Sequence, residues 1–243
     1  MNLGLRLKWV FPRPVRRFLR RMHRDLVFRR AMRKFLAAPE DHVEPASPVV
    51  ADLIYGWGNE SWSASATYLT GCIQHALDTH GPILECGSGL STILVGAVAQ
   101  RRGLDYWALE HTSTWAARVR RCLERYRIKS VIVCAEPLVN YGDFLWYRPP
   151  LESMPPSFAL VVCDGPPGST PGGRFGLAPI MRERLKPGCV ILLDDASREQ
   201  ELAIARRWEA ELGASFKILG STRPYIEMTA LESSIVPDAA PYP

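Results

Sequence analysis

The sequence predicts an α/β fold in which helices cover both faces of a mostly parallel sheet. From residue 63 onwards, short β-rich runs alternate with helical segments. The runs 158–163 and 189–193 are almost continuously apolar, as expected for central strands that are buried on both faces. The last two strand-like runs are joined only by residues 221–224, a joint too short for a parallel crossover.

The elements follow one another in a regular order along the chain. Helices are expected at 63–79, 90–101, 113–126, 175–185 and 198–212. Strands are expected at 82–86, 106–110, 130–134, 158–163, 189–193, 215–220 and 225–231. Because the last two strands must pair as an antiparallel hairpin, the prediction is a seven-stranded, mostly parallel sheet that ends in such a hairpin. We assign residues 51–243 to this domain and residues 1–50 to a basic helix and a proline-rich linker.

The composition is that of a globular protein, with 47% apolar and 23% charged residues among 243. No apolar run reaches the roughly 18–20 residues that span a bilayer, and the basic N-terminus has no unbroken apolar segment typical of a secretory signal. No two cysteines form a C-x-x-C pair, which favours buried, reduced thiols and a cytoplasmic protein. The cysteines are Cys72, Cys86, Cys122, Cys134, Cys163 and Cys189.

The positive charge is concentrated at the N-terminus. Residues 1–34 contain 12 of the 30 Lys and Arg residues but only one acid, Asp25. Apolar residues recur every three or four positions over 15–37, which predicts an amphipathic helix with a basic polar face. This helix either lies peripherally on an anionic membrane, at its inner face, or docks on the domain or a partner with its arginines solvated. No recognised nucleic-acid-binding module is present, so nucleic acid is not an expected partner.

A glycine turn follows the first predicted strand, in the run Glu85-Cys86-Gly87-Ser88-Gly89. Glycine permits a positive φ and lets the backbone approach a ligand, and the next helix points its N-terminus at the same place. Glu110 ends the second strand, 21 residues after Gly89, where a carboxylate can accept hydrogen bonds from ribose hydroxyls. Thr92 stands where the dinucleotide fingerprint has its third glycine.

The run Ile83–Thr92 resembles the first motif of class I S-adenosylmethionine (SAM)-dependent methyltransferases, whose Rossmann-like sheet also ends in an antiparallel hairpin. The resemblance covers roughly residues 63–231 and implies SAM as the cofactor. It implies that Glu85, Gly87 and Gly89 line the methionine part and that Glu110 holds the ribose. Glu136 falls where such enzymes often contact adenine, although a plain surface role stays open. The residues that we assign to the cofactor are Glu85, Gly87, Ser88, Gly89, Ser91, Thr92, Glu110, His111, Glu136 and Asp164.

Three acidic residues follow the fourth and fifth strands of the domain. Asp164 closes the run 158–163, and Asp194 and Asp195 close the run 189–193. Neighbouring parallel strands lie about 4.8 Å apart, so these carboxylates are expected on one rim, where they repel one another unless a cation compensates. Oxygen ligands of this kind suit Mg²⁺ or another hard divalent ion. Capping of the following helix by the Asp194-Asp195 pair, or plain substrate contact, are the alternatives.

The Asp164-Gly165-Pro166-Pro167-Gly168 loop is similar to that of plant polysaccharide 4-O-methyltransferases, and the acid layout resembles metal-dependent O-methyltransferases. The resemblance implies methyl transfer to a hydroxyl of a small molecule, carbohydrate or glycolipid, with Asp164 beside the methyl group. Pro167 and Asp195 replace the lysine and asparagine of catechol-type enzymes, so no general base is assigned. His111 is a second catalytic candidate, against the more ordinary structural role of a lone histidine.

Two other functions remain open from the sequence. A nicotinamide-dependent oxidoreductase is disfavoured by the terminal hairpin and the missing third glycine, and a methyltransferase-like binding protein without catalysis is disfavoured by the three acids. The segment 55–62, with two tryptophans among glycines, is interpreted either as a lid or as core, and the insertion 141–147 falls on the substrate side. Neither the acceptor nor the oligomeric state follows from the sequence.

Overall fold

The computed structural model describes residues 12–59 and 63–230. In these ranges the strands are β1 Ile83–Cys86, β2 Tyr106–Glu110, β3 Val131–Ala135, β4 Val139–Asn140, β5 Leu145–Trp146, β6 Phe158–Cys163, β7 Leu185–Leu193, β8 Ser215–Leu219 and β9 Tyr225–Thr229. The α-helices are α1 Arg13–Ala37, α2 Pro48–Trp57, α3 Ala66–Asp78, α4 Leu90–Arg102, α5 Ser113–Arg125, α6 Leu177–Met181 and α7 Glu199–Glu211.

The main sheet has seven strands in the order β3-β2-β1-β6-β7-β9-β8. Strands β3, β2, β1, β6 and β7 are parallel, and β9 is antiparallel to both β7 and β8. The predicted fold class is therefore confirmed, including the terminal hairpin. The chain turns from β1 outwards to β2 and β3, then crosses back to β6. This change of direction opens a crevice at the carboxyl ends of β1 and β6, where such sheets bind ligands.

The core lies on both faces of the sheet because the strand side chains alternate between them. Ile83 faces a layer formed by α3, α4 and α5, whereas Leu84 and Cys86 face the layer that contains α6 and α7. Helix α4 is buried over almost its whole length, from Leu90 to Ala99. Its N-terminus, next to the glycine turn, is therefore held rigidly against the sheet.

The N-terminal helix joins this core through its second half only. Phe28, Met32 and Phe35 are buried together with residues of α3 and α4. Helix α1 packs closely on α2, since a Cβ built on Gly56 would lie 2.6 Å from the Phe28 Cβ. The interpretation of α1 as a helix that docks on the domain therefore holds for its second half.

The predicted linker 38–50 is wrong in its second part. Helix α2 begins at Pro48, where a fixed φ and a missing N–H suit the first turn of a helix. The helix buries Val49, Leu53 and Trp57 along one side, so residue 50 lies inside a packed element. The segment 55–62 accordingly begins as helix, and Trp62 lies outside the described residues.

Two further boundaries differ from the prediction. The helix expected at 175–185 is divided into the five-residue α6 and a 3-10 turn at Arg182–Arg184, and β7 already begins at Leu185. The insertion 141–147 forms part of the small antiparallel pair β4–β5, which buries Trp146 completely.

In the described part of the chain, no helix combines the length and the apolar character that crossing a membrane requires. All six cysteines are free thiols, four of them buried.

Candidate active site

The glycine turn after β1 lies in backbone contact with the loop after β6. Gly87 has a φ of +88°, a conformation that favours glycine. A Cβ at Gly87 would also lie 2.9 Å from the Gly165 nitrogen. Next to it, the Asp164 N–H donates to the Cys86 carbonyl at 2.9 Å. Glycine at position 87 is therefore required by both backbone conformation and space.

Glu85 lies beneath the turn and is completely buried. Its carboxylate accepts hydrogen bonds from Ser91 Oγ at 2.5 Å, Thr92 Oγ1 at 2.6 Å and the Tyr106 hydroxyl at 2.7 Å. Thr92 Oγ1 in turn accepts from the Gly89 N–H at 2.7 Å. Burial raises the pKa of Glu85 to about 7, against the opposing effect of the hydroxyl donors. Neither Glu85 nor Thr92 lies on the cavity wall, so both hold the turn from below.

Glu110 connects the turn to the start of α5. Its Oε2 accepts from the Ser88 N–H at 3.1 Å and from Ser88 Oγ at 2.8 Å. Its Oε1 accepts from the N–H groups of His111 and Thr112, both at 2.8 Å. Burial raises the pKa of this carboxyl, but the hydrogen bonds outweigh burial and the net pKa is lowered. Glu110 is therefore a charged acceptor at the mouth of the turn.

His111 and Glu136 were also predicted near the nucleoside, and only His111 lies on the cavity wall. His111 lies on the cavity wall with its Nδ1 3.2 Å from Glu110 Oε1. Glu136 is exposed and lies outside that wall, although its N–H donates to the Glu110 carbonyl at 3.0 Å.

The three predicted acids share one rim, and a buried arginine lies among them. Arg174 Nη2 donates to Asp164 Oδ1 and to Asp195 Oδ2, both at 2.9 Å. Its Nη1 donates to the Asp194 carbonyl at 2.7 Å. Arg198 Nη1 also lies 2.9 Å from Asp195 Oδ2. The rim is therefore a network of acids and guanidinium groups.

This network explains how the acids tolerate their proximity. Burial raises the pKa of Asp164 to about 8; the Arg174 guanidinium opposes this shift, and Asp194 and Asp195 add to it. Burial likewise raises the pKa of Asp194 to about 6. Asp195 has a φ of +63°, an unusual conformation for a residue with a side chain. Helix α7 takes Arg198 as its N-cap, so the capping role considered for Asp194 and Asp195 is wrong.

One cavity of about 350 Å³ opens over the turn and the acid rim. That volume is within the range of small-molecule sites. Nine of the predicted residues lie on its wall, namely Gly87, Ser88, Gly89, Ser91, Glu110, His111, Asp164, Asp194 and Asp195. The crevice after β1 and β6 is thus shared by the predicted cofactor and acid residues.

Sequence reasoning pointed to the segments 55–62 and 141–147 but assigned no individual role to several residues of this wall. Tyr147 contributes a buried hydroxyl that has no hydrogen-bond partner among the described residues. Trp57 and Trp115 meet edge to face at 5.9 Å, and Trp115 Nε1 donates to the Ser88 carbonyl at 2.7 Å. Arg174 follows Gly172-Gly173 in the sequence, but no sequence pattern indicated that its side chain binds Asp164 and Asp195.

Comparisons with known proteins identify the fold. The chain matches no protein-family model and no curated protein sequence. SAH-bound Podospora anserina methyltransferase PaMTH1 aligns with a TM-score of 0.54 and 15% identity, over 70% of this chain and 81% of that one. A putative O-methyltransferase from Klebsiella pneumoniae aligns with a TM-score of 0.51 and 16% identity, over 77% and 91%. Precorrin-6y C5,15-methyltransferase from Geobacter metallireducens aligns with a TM-score of 0.50 and 15% identity, over 72% and 96%. The chain therefore has the Rossmann-like fold of the SAM-dependent methyltransferases.

Proposed function

We propose that this chain transfers a methyl group from SAM to a hydroxyl oxygen of a small molecule, carbohydrate or glycolipid. The observation that carries the proposal is the common cavity, whose wall includes the glycine turn with Glu110, taken as the cofactor end, and the adjacent Asp164–Arg174 pair, taken as the acceptor end. Cofactor and acceptor groups can therefore meet inside one cavity. The SAH-bound methyltransferase from Podospora anserina shares the fold and supports the choice of cofactor.

The cofactor end of the cavity suits a methionine and a ribose. The α4 N-terminus begins at Leu90 beside the turn, and its free N–H groups and helix dipole attract a carboxylate. We assign the ribose to the charged Glu110, where a ribose hydroxyl would take the place of the Ser88 hydroxyl that now donates to Oε2. His111 and Trp115 lie on the same part of the wall and flank the nucleoside. A contact of adenine with Glu136 requires that exposed side chain to turn towards the cavity.

The acceptor end suits proton removal. SAM supplies an electrophilic methyl on a sulfonium: as the acceptor oxygen bonds to the methyl carbon, the carbon–sulfur bond breaks and its electron pair goes to sulfur, leaving S-adenosylhomocysteine. We assign the hydroxyl proton to the Asp164 carboxylate: burial raises the pKa of this carboxyl to about 8, so it is a stronger base than an exposed aspartate, and its base form predominates above that pH. Arg174 holds Asp164 in place. Alignment of the two reactants supplies the rest of the rate enhancement.

The acid rim fits a divalent ion poorly, although one oxygen from each of Asp164, Asp194 and Asp195 lies within 4.8 Å of the others. The guanidinium of Arg174 already binds two of these carboxylates, and Arg198 binds Asp195 a second time. A divalent ion at the same carboxylates would lie against buried positive charge. We therefore propose that Arg174 supplies the compensation that the sequence analysis assigned to Mg²⁺.

Calorimetry with SAM and S-adenosylhomocysteine tests the cofactor assignment. The parent protein is expected to bind both, and Glu110→Ala is expected to weaken binding at least about tenfold because charge-assisted hydrogen bonds are lost. Glu209→Ala, an exposed glutamate of α7 away from the cavity, is the matched control and should bind like the parent. No heat with either ligand, or tight NADH binding in a fluorescence titration, would overturn the assignment.

A transfer assay tests catalysis separately from binding. Protein incubated with radiolabelled SAM and a panel of sugars, glycolipids and phenols should label one class of hydroxyl compound. Asp164→Asn should lower the rate while leaving cofactor affinity within a few fold. Cofactor binding without transfer to any acceptor would favour the binding protein that lacks catalysis.

A further inference from the structure

The first half of α1 carries an apolar stripe that lies outside the two buried core clusters of the domain. Its side chains are 38–64% exposed, and they are Val15, Phe18, Leu19, Met22 and Leu26. Their spacing of three and four residues places them on one helical face. The same helix buries Phe28 and Met32 further along. The stripe is therefore the outer face of a helix whose second half is anchored in the core.

The opposite side of the same half-helix carries arginines and faces α5. A second cavity, of about 720 Å³, lies between the two helices. Its described wall includes seven arginines, four between residues 17 and 24 of α1 and three between residues 118 and 125 of α5. Asp25 is the one acid of that wall, and Arg29 and Arg125 bind it at 2.6 and 2.8 Å. The cavity thus holds a large excess of positive charge.

We infer that the first half of α1 and this arginine cavity form a docking surface for an anionic lipid bilayer. The apolar stripe enters the boundary between headgroups and acyl chains, and the exposed arginines of the polar face extend around the helix towards the phosphates of anionic lipids. One occupant then satisfies both features. A nucleic acid leaves the exposed Phe18, Met22 and Leu26 in water, and a free anion covers none of the stripe.

The docking surface adjoins the candidate active site. Trp57 lies on the walls of both cavities. Arg118, on the wall of the arginine cavity, stacks over Trp57 at 4.4 Å and over Trp115 at 4.7 Å, and its guanidinium donates to the Trp57 carbonyl. The arginine cavity therefore borders the methyl-transfer cavity through Trp57. The surface is inferred from α1 and α5 alone and does not depend on the proposed reaction.

Vesicle co-sedimentation of the full chain tests this inference. Phosphatidylcholine vesicles are compared with vesicles that also contain phosphatidylglycerol, each at low and at physiological ionic strength. Phe18→Ser/Met22→Ser/Leu26→Ser removes the stripe at exposed positions, and Ile132→Ser/Ile218→Ser, with similarly exposed side chains on the sheet, is its control. Arg20→Ala/Arg21→Ala removes cavity charge, and the exposed pair Arg148→Ala/Arg206→Ala is its control.

The parent protein is expected to bind only the anionic vesicles, less tightly as salt rises. Each α1 variant should bind about tenfold more weakly or worse, with an unchanged melting temperature, whereas both controls bind like the parent. Three results would overturn the inference. They are equal binding to neutral and anionic vesicles, no vesicle binding by the parent, and parent-like binding by the stripe variant. Displacement of the protein from vesicles by inorganic phosphate, with the stripe variant still binding normally, would identify a soluble-anion site instead.

Discussion

Gly87 and Gly165 bring the loops after β1 and β6 into backbone contact. A Cβ built on Gly165 would lie 2.9 Å from the Gly87 Cα and 2.5 Å from the Tyr147 hydroxyl. This contact places the cofactor turn directly beside Asp164, which precedes Gly165. Backbone contacts therefore hold the cofactor turn next to the loop that carries Asp164. The distance between these two loops does not depend on flexible side chains.

The two glycines of the turn should respond differently to substitution. Gly87→Ala strains a positive φ and clashes with the Gly165 backbone, so we expect a loss of about 2 kcal/mol or more in the free energy of unfolding. Gly89 has an extended backbone and open space at its Cβ, so Gly89→Leu should unfold like the parent but bind SAM at least about tenfold more weakly by entering the cavity. Urea unfolding and calorimetry measure the two effects. Similar stability of both variants would contradict the structure of the turn.

Removing divalent metal should leave the activity unchanged, because Arg174 already compensates the acid rim. The measurement is transfer of radiolabel with and without a chelator. Arg174→Met should cost about 3–5 kcal/mol of stability, since it leaves buried carboxylates unpaired. Arg174→Lys retains the positive charge but loses the planar set of guanidinium donors, so we expect a smaller loss in the free energy of unfolding than for Arg174→Met. Loss of activity on chelation that Mg²⁺ restores would show that a metal is used.

Glu85 should make the protein less stable as the pH rises from about 5 to 7. Its pKa is raised in the folded state from 4.5 to about 7, so the folded protein binds the proton more tightly than the unfolded chain does. The free energy of unfolding therefore falls with rising pH across this window, by up to about 3 kcal/mol. Urea unfolding of the parent and of Glu85→Gln at several pH values isolates the contribution. A difference between the two proteins that stays constant from pH 5 to 8 would refute it.

The Tyr147 hydroxyl should contribute to ligand binding at a cost in stability. It is buried on the cavity wall without a partner among the described residues, and burial raises its pKa well above the ordinary value. Tyr147→Phe is expected to raise the free energy of unfolding by about 1 kcal/mol and to lower SAM affinity or turnover. Tyr126→Phe removes a buried hydroxyl that also lacks a described partner but lies outside the cavity, so it should change stability alone. Equal ligand binding by parent and Tyr147→Phe would rule out the contact.

Local pattern determined the fold of this protein. The continuous apolar runs that became β6 and β7, and the short joint before β9, were sufficient to predict a parallel sheet with an antiparallel end. The position of Glu110 at the end of β2 was also predictable, because strand length and sheet direction are local properties. Helix α2 was missed because the prolines before and at its start are typical of a linker, and the helix predicted at 175–185 is an α-helix followed by a 3-10 turn, two forms that periodicity does not distinguish.

The charge balance of the site was decided only by the tertiary structure. The sequence predicted that Asp164, Asp194 and Asp195 lie on one rim, but it did not show which positive charge reduces their repulsion. Arg174 supplies that cation from a loop of its own, ten residues beyond Asp164. Likewise, periodicity showed that α1 is amphipathic, but only packing showed that Phe28 and Met32 are buried while Phe18 and Met22 stay exposed. Long-range packing, unlike strand order, depends on which distant side chains fill the same space, and no local pattern encodes it.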